Sequence, residues 1–236
     1  MDNIYLVNYS PIRTKRHKLI DLLNKGLSRY GFKIVLQPNP KIDMSTVEQR
    51  INMFHLLESA LTWGVEGEVV EFGCYAGQSA MLFQKVIMHF DKHKTIYLYD
   101  SFEATFGRPR DVEAELRNNF SHALLHNPVV IRGKLEDTVP LNLPEKISFA
   151  HIDCGIGIDQ FIHKNLIIHL VNNVYHRMST GAVCMFMDYY DKSKGHHGRD
   201  FNPGVKPACD EFFADKPEKV SALYGNQYSH GYFRKL

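Results

Sequence analysis

Val69-Val70-Glu71-Phe72-Gly73-Cys74-Tyr75-Ala76-Gly77-Gln78-Ser79 decides the fold, read with the helical run behind it and with Ile96-Tyr97-Leu98-Tyr99-Asp100. An apolar run ends in an acid and a glycine-punctuated turn. After the helix, a second apolar run ends in another acid. This is the pattern of a Rossmann-type β-α-β unit that takes a nucleoside-bearing cofactor: glycines let the backbone approach, and the second acid accepts the ribose hydroxyls. Glu71 closes an otherwise buried strand, where an unpaired carboxylate is costly, so it requires a polar partner. Asp100 reads either as the ribose acceptor or as the cap of the turn that begins at Ser101. The turn is Gly73-x-x-x-Gly77 and lacks the middle glycine that admits a pyrophosphate, so an NAD-dependent dehydrogenase ranks last among the readings.

Outward from this unit, strands are predicted near 68–73, 95–100, 128–132, 147–153 and 181–188, with a closing hairpin at 218–223 and 228–234. Helices are predicted near 77–92, 111–124, 158–178 and 204–214. Such alternation predicts an α/β fold with a mostly parallel sheet covered on both faces. Upstream, Leu19, Ile20, Leu22, Leu23 and Leu27 recur at helical spacing within 11–30, behind a basic start from Arg13 to Lys18. Phe32–Leu36 reads as a short strand. A second helix spans Ser45–Gly64, with Ser45 and Glu48 at capping-box spacing. No repeat or linker interrupts the chain, so residues 1–236 form one domain, with 1–64 as an N-terminal helical extension.

Composition narrows the class little. A formal net charge of +2 is too small to argue for nucleic-acid or membrane binding. No apolar run reaches the length of a membrane span, and Met1-Asp2-Asn3 lacks a charged-then-apolar leader. Cys74, Cys154, Cys184 and Cys209 show no metal-type pairing and read as free thiols of a reducing, cytoplasmic setting.

These motifs resemble the class I methyltransferases of the macrocin and mycinamicin sugar O-methyltransferase type (TylF-like), over roughly residues 44–234. Met44 with Arg50 is similar to the family's leading helix, whose start lies against the methionine end of the cofactor. Gly64-Val65-Glu66-Gly67-Glu68-Val69-Val70-Glu71 is similar to its approach to the first strand, and Asp100-Ser101-Phe102-Glu103 to its ribose segment. Gly133-Lys134-Leu135-Glu136-Asp137-Thr138-Val139-Pro140 resembles the adenine-side loop, with Leu135 where an aromatic is common. His151-Ile152-Asp153-Cys154 looks like the fourth-strand end, Gly204, Asp210, Glu211 and Phe212 like the late helix, and Gly231-Tyr232-Phe233-Arg234 like the last strand.

The resemblance implies a Rossmann-like class I methyltransferase fold: a seven-stranded, mostly parallel sheet with one antiparallel strand and helices on both faces. It implies S-adenosyl-L-methionine as cofactor, held by Met44, Glu71, Gly73, Tyr75, Gly77, Ser79, Asp100, Ser101, Leu135 and Asp153. Tyr75 either flanks the methionine part or serves as a packing aromatic. TylF-like enzymes hold Mg2+ with acids at the ends of the fourth and fifth strands, which orients a sugar diol and lowers its pKa. Here Asp153 and Asp188 match, but Met187 and Gly155 stand where further acids belong; Asp191 is a third candidate. Asp153 and Asp188 are therefore candidates for catalysis and metal binding, or else strand-end residues contacting cofactor or solvent. His196 and His197, in the loop after the fifth strand, are candidate bases because imidazole titrates near neutrality. The alternative for each is a solvated loop. His151 reads as a buried strand histidine satisfied by a hydrogen bond.

The expected function is S-adenosylmethionine-dependent methyl transfer to a hydroxyl of a sugar or similar polyhydroxylated small molecule, by a self-associating enzyme. The alternatives are a metal-independent methyltransferase with another acceptor and a non-catalytic S-adenosylmethionine-binding partner protein. Acceptor choice would lie in the N-terminal helices, the Phe106–Asp111 loop and residues 191–203.

Overall fold

The computed structural model describes residues 15–34, 45–106, 111–155, 157–194, 200–226 and 229–236. The strands are β1 (Glu68–Phe72), β2 (Ile96–Asp100), β3 (Val129–Arg132), β4 (Ile147–Ile152), β5 (Met178–Phe186), β6 (Ser221–Leu223) and β7 (His230–Arg234). The helices are α1 (Lys15–Leu27), α2 (Val47–Thr62), α3 (Gln78–His89), α4 (Val112–His122), α5 (Leu135–Thr138), α6 (Gln160–Tyr175) and α7 (Val205–Phe212). They build a seven-stranded sheet in the order β3-β2-β1-β4-β5-β7-β6. All neighbours are parallel except β7, which runs antiparallel to both β5 and β6.

Alternation along the central strands assigns the faces. Val69, Phe149, Val183 and Met185 pack with α2, α3 and α4. Val70, Phe72, Ala150, Ile152, Cys184 and Phe186 pack with α5, α6 and α7. Phe72, Phe83, Phe149 and Phe186 are fully buried, and each contributes roughly 1.5–3 kcal/mol through removal from water. Because both faces are covered, the central strands read as continuous apolar runs, and a charged residue within them stands out.

Local differences from the sequence reading have local causes. The cap of α2 is Thr46 with Gln49, one residue past the expected Ser45 and Glu48: Thr46 Oγ1 accepts from Gln49 N at 3.2 Å, and Gln49 Oε1 accepts from Thr46 N at 2.8 Å. Phe32–Ile34 form no strand. The Asn24 side chain pairs with both backbone groups of Ile34 instead (2.7 and 2.9 Å), and positions 35 and 36 lie outside the described residues. β5 starts three residues before the expected position, at Met178 beside Ile147. The short helix α5 was not anticipated.

α1 and α2 differ in how they pack. α2 buries Met53, Leu57, Ala60 and Leu61 in the core, whereas α1 leaves Leu19, Leu22 and Leu23 exposed. No helix among the described residues is long and apolar enough to cross a membrane.

Candidate active site

The carboxyl ends of β1, β2, β4 and β5 meet at one edge of the sheet. Gly73 follows β1 with φ +83°, and a Cβ there would collide with the Asp153 carbonyl. Only glycine fits, because the turn is clamped: Gly73 N donates to Tyr99 O at 2.8 Å, and Asp153 N donates to Phe72 O at 2.9 Å. Gly77 precedes α3 and accepts from Met81 N at 2.8 Å. Asn119 of α4 also donates to Ala76 O at 2.9 Å.

Glu71 is fully buried and has the polar partners its burial demands. Its Oε1 accepts from Ser79 Oγ at 2.5 Å and from His151 Nδ1 at 2.7 Å. The carboxylate accepts only, so Nδ1 carries the proton. Glu71 Oε2 and His151 Nε2 are buried without a hydrogen-bond partner among the described residues.

Of its two readings, Asp100 takes the capping one in its contacts with the protein. Oδ2 accepts from Tyr75 N at 2.8 Å, and Oδ1 accepts from Phe102 N at 2.7 Å, so Asp100 caps its own turn and grips the glycine turn. Each oxygen keeps a lone pair for a further donor. Ser101 Oγ accepts from Glu103 N at 3.3 Å. Tyr75, at φ +46°, packs edge-on against Phe106 with centroids 4.8 Å apart. Strained backbone of this kind gathers at ligand sites. Leu135 opens α5 and is buried in the core. Met44 lies outside the described residues. A glycine cradle, an acid with unused lone pairs and a buried carboxylate oxygen with no partner among the described residues fit a nucleoside cofactor with a zwitterionic amino-acid end.

The other half of the mouth is built differently. Asp153 follows β4, half-buried, and no donor from the described residues bonds its carboxylate. Burial pushes its pKa up to about 7; His151 opposes the rise, while Asp188, Glu71 and Asp100 add to it. Asp188 lies just past β5 at φ +54°. Burial raises it as well, against a hydrogen bond from Asn202 Nδ2 to its Oδ2 at 2.7 Å. Asp191 is engaged by its own turn, where Oδ1 accepts from Ser193 N at 3.0 Å and Ser193 Oγ at 2.6 Å. Met187 is buried. Gly155 has φ +88°, and a Cβ there would strike the His163 ring, whose Nε2 lies 2.9 Å from Cys154 O. His163 thus fills the space that an acidic side chain at 155 would need. Among the described residues no group of three or more His, Cys, Asp or Glu side chains is placed to hold a metal ion. The donor set fits Mg2+ poorly. His196 and His197 lie outside the described residues.

Asp153, Asp188, Glu71 and Asp100 are therefore brought to one edge, with Ser79 and Tyr75 beside them. Sequence reading missed His163, Asn202 and Asn119, each a lone polar residue whose partner is remote in the chain. It also missed His230, a buried strand histidine whose pKa burial lowers to about 3, with His151 adding to the effect. The apolar strand around His230 was the only available signal.

The strand order, with β7 alone antiparallel and the glycine turn at the carboxyl end of β1, is the class I S-adenosylmethionine-dependent methyltransferase fold. The O-methyltransferase NovP superposes with a TM-score of 0.63 at 18% identity, covering 80% of each chain. An O-methyltransferase from Bacillus cereus, solved with SAH, gives 0.58 at 11% identity over 92% of this chain and 99% of that one. An SAH-bound Podospora anserina methyltransferase gives 0.58 at 16%, over 95% and 98%. In sequence, the chain is similar to mycinamicin III 3''-O-methyltransferase of Micromonospora griseorubida, 26% identical over 165 residues. That match covers 58% of this chain and 61% of the relative, so the chain spans about three fifths of that protein's length. No protein-family model matches.

Proposed function

We propose that the chain is an S-adenosylmethionine-dependent O-methyltransferase acting on a hydroxyl of a sugar or sugar-bearing small molecule. The observation that carries the reading is the juxtaposition at one sheet edge of a clamped glycine turn with Asp153, an acid poised near neutrality. The mycinamicin-modifying relative supports a sugar as acceptor.

Gly73, Gly77, Ser79 and Asp100 hold the cofactor, with Tyr75 flanking its methionine part. When bound, S-adenosylmethionine supplies an electrophilic methyl group on a sulfonium. Asp153 takes the proton of the acceptor hydroxyl as that oxygen gains the methyl, the role suited to a group with a pKa near the working pH. Asp188, steadied by Asn202, orients a neighbouring hydroxyl. Exposed Ile158, Phe161, Ile162 and Phe201, on the segments leaving β4 and β5, receive the less polar part of the acceptor. No step is assigned to magnesium.

The chain self-associates through α1. A helix of 13 residues is marginal alone in water, and its exposed Leu19, Leu22 and Leu23 supply a surface for a second copy. Four unpaired cysteines support a cytoplasmic setting.

The test is calorimetry with S-adenosylhomocysteine, followed by methyl-transfer assays over free and glycosylated acceptors with and without EDTA. Binding plus EDTA-insensitive transfer to a sugar hydroxyl is expected. Absence of binding overturns the reading; EDTA-sensitive transfer restores the metal. Light scattering of the full chain tests self-association.

A further inference from the structure

Glu71 carries more hydrogen bonding on one oxygen than burial alone requires. Its Oε1 receives both Ser79 Oγ and His151 Nδ1, while Oε2 has no partner among the described residues. Ser79 is the second residue of α3, in the helical turn whose free N–H groups and positive dipole end suit an anionic group such as a cofactor carboxylate. Its hydroxyl has one proton, and that proton points at Glu71. Donating it to a cofactor carboxylate means withdrawing it from Glu71. A fully buried carboxylate stripped of its donor would oppose that turn strongly.

His151 removes the obstacle. Its ring is fully buried on β4, directly across from Glu71 in the β1–β4 register. The edge contact with Phe83, centroids 5.3 Å apart, fixes the ring plane. Nδ1 therefore stays on Glu71 whichever way Ser79 points. We propose that His151 is a positioning residue for the cofactor: it keeps Glu71 hydrogen-bonded so that the Ser79 hydroxyl is free to leave Glu71 and donate to the amino-acid end of S-adenosylmethionine. This rests on the methyltransferase reading. It adds to that reading a residue the cofactor does not touch and a reason for two donors on one oxygen.

Asparagine carries an amide N–H close to where Nδ1 stands; phenylalanine fills the ring volume without a donor. With His151→Phe, Ser79 becomes the sole donor to Glu71 and is locked there. The dissociation constant for S-adenosylhomocysteine is then expected to rise ~10–100-fold. His151→Asn is expected to stay within a few-fold of wild type. The decisive readout is a double-mutant cycle. Ser79→Ala costs affinity in the wild type and little in the His151→Phe background, where Ser79 no longer reaches the cofactor. Near-ultraviolet circular dichroism checks that each variant folds, and His151→Asn with its own Ser79→Ala partner carries the cycle if His151→Phe does not. In that second cycle the Ser79→Ala cost is expected to match wild type.

Additive losses in the first cycle, a lost Ser79→Ala cost in the Asn background, or wild-type affinity in His151→Phe overturn the proposal and leave the methyltransferase reading standing. Failure of the wild type to bind S-adenosylhomocysteine overturns both.

Discussion

At the ends of β1 and β2, Glu71 and Asp100 each accept two donors from the protein. At the ends of β4 and β5, Asp188 has one such donor, from Asn202, and Asp153 has none among the described residues. The first pair is part of the architecture, tying β1, β2, β4 and the glycine turn together before any ligand arrives. The second pair keeps its acceptor capacity, and burial raises the pKa of both acids. Carboxylates bonded within the protein build a binding surface; carboxylates left without donors are available for proton transfer and for a ligand's hydroxyls.

The contrast breaks most sharply at Asp153. Asp153→Asn is expected to lower kcat by ~10²–10⁴ while changing affinity for S-adenosylhomocysteine far less; near-normal rates would remove it from the chemistry. Asp100→Ala is expected to act the other way. It leaves Tyr75 N and Phe102 N without their acceptor, and cofactor affinity should fall by ~10-fold or more, so an unchanged dissociation constant by calorimetry refutes the ribose assignment. Asp188→Asn retains an acceptor oxygen beside Asn202 and should raise KM for the acceptor by less than ~10-fold, seen in steady-state kinetics.

The smallest effect is on stability. Asp153 has a folded pKa of about 7, against roughly 3.9 in an unfolded chain. The unfolded state therefore sheds this proton first, and the neutral acid's contribution, complete below about pH 4, is lost as pH rises through 7. Thermal melts of the cofactor-free chain should show Asp153→Asn more stable than wild type above pH 7, with the two converging near pH 4.

The two halves also differed in how far sequence exposed them. Glu71 was legible because a lone charge in a doubly buried strand must have partners, and the capping reading of Asp100 because the turn that begins at Ser101 needs an acceptor. Even the misplaced cap of α2 has a simple origin: Ser45 with Glu48 and Thr46 with Gln49 both satisfy the spacing, and the hydrogen bonds form at the second pair. The β4–β5 half resisted for a different reason. Asn202 reaches Asp188 across 14 positions, and His163 reaches Cys154 from within α6. Neither interaction has a periodicity or a motif, since each depends on where a loop happens to return.

The His163 ring beside Gly155 also constrains the routes open to this chain through sequence space. An acid introduced at 155 alone would meet both an imidazole and a left-handed backbone, so it should be lost before any benefit could be selected. The imidazole must shrink first, and that step by itself gives up the hydrogen bond to Cys154. A carboxylate at position 155 therefore lies at least two ordered substitutions away, with a less fit intermediate between.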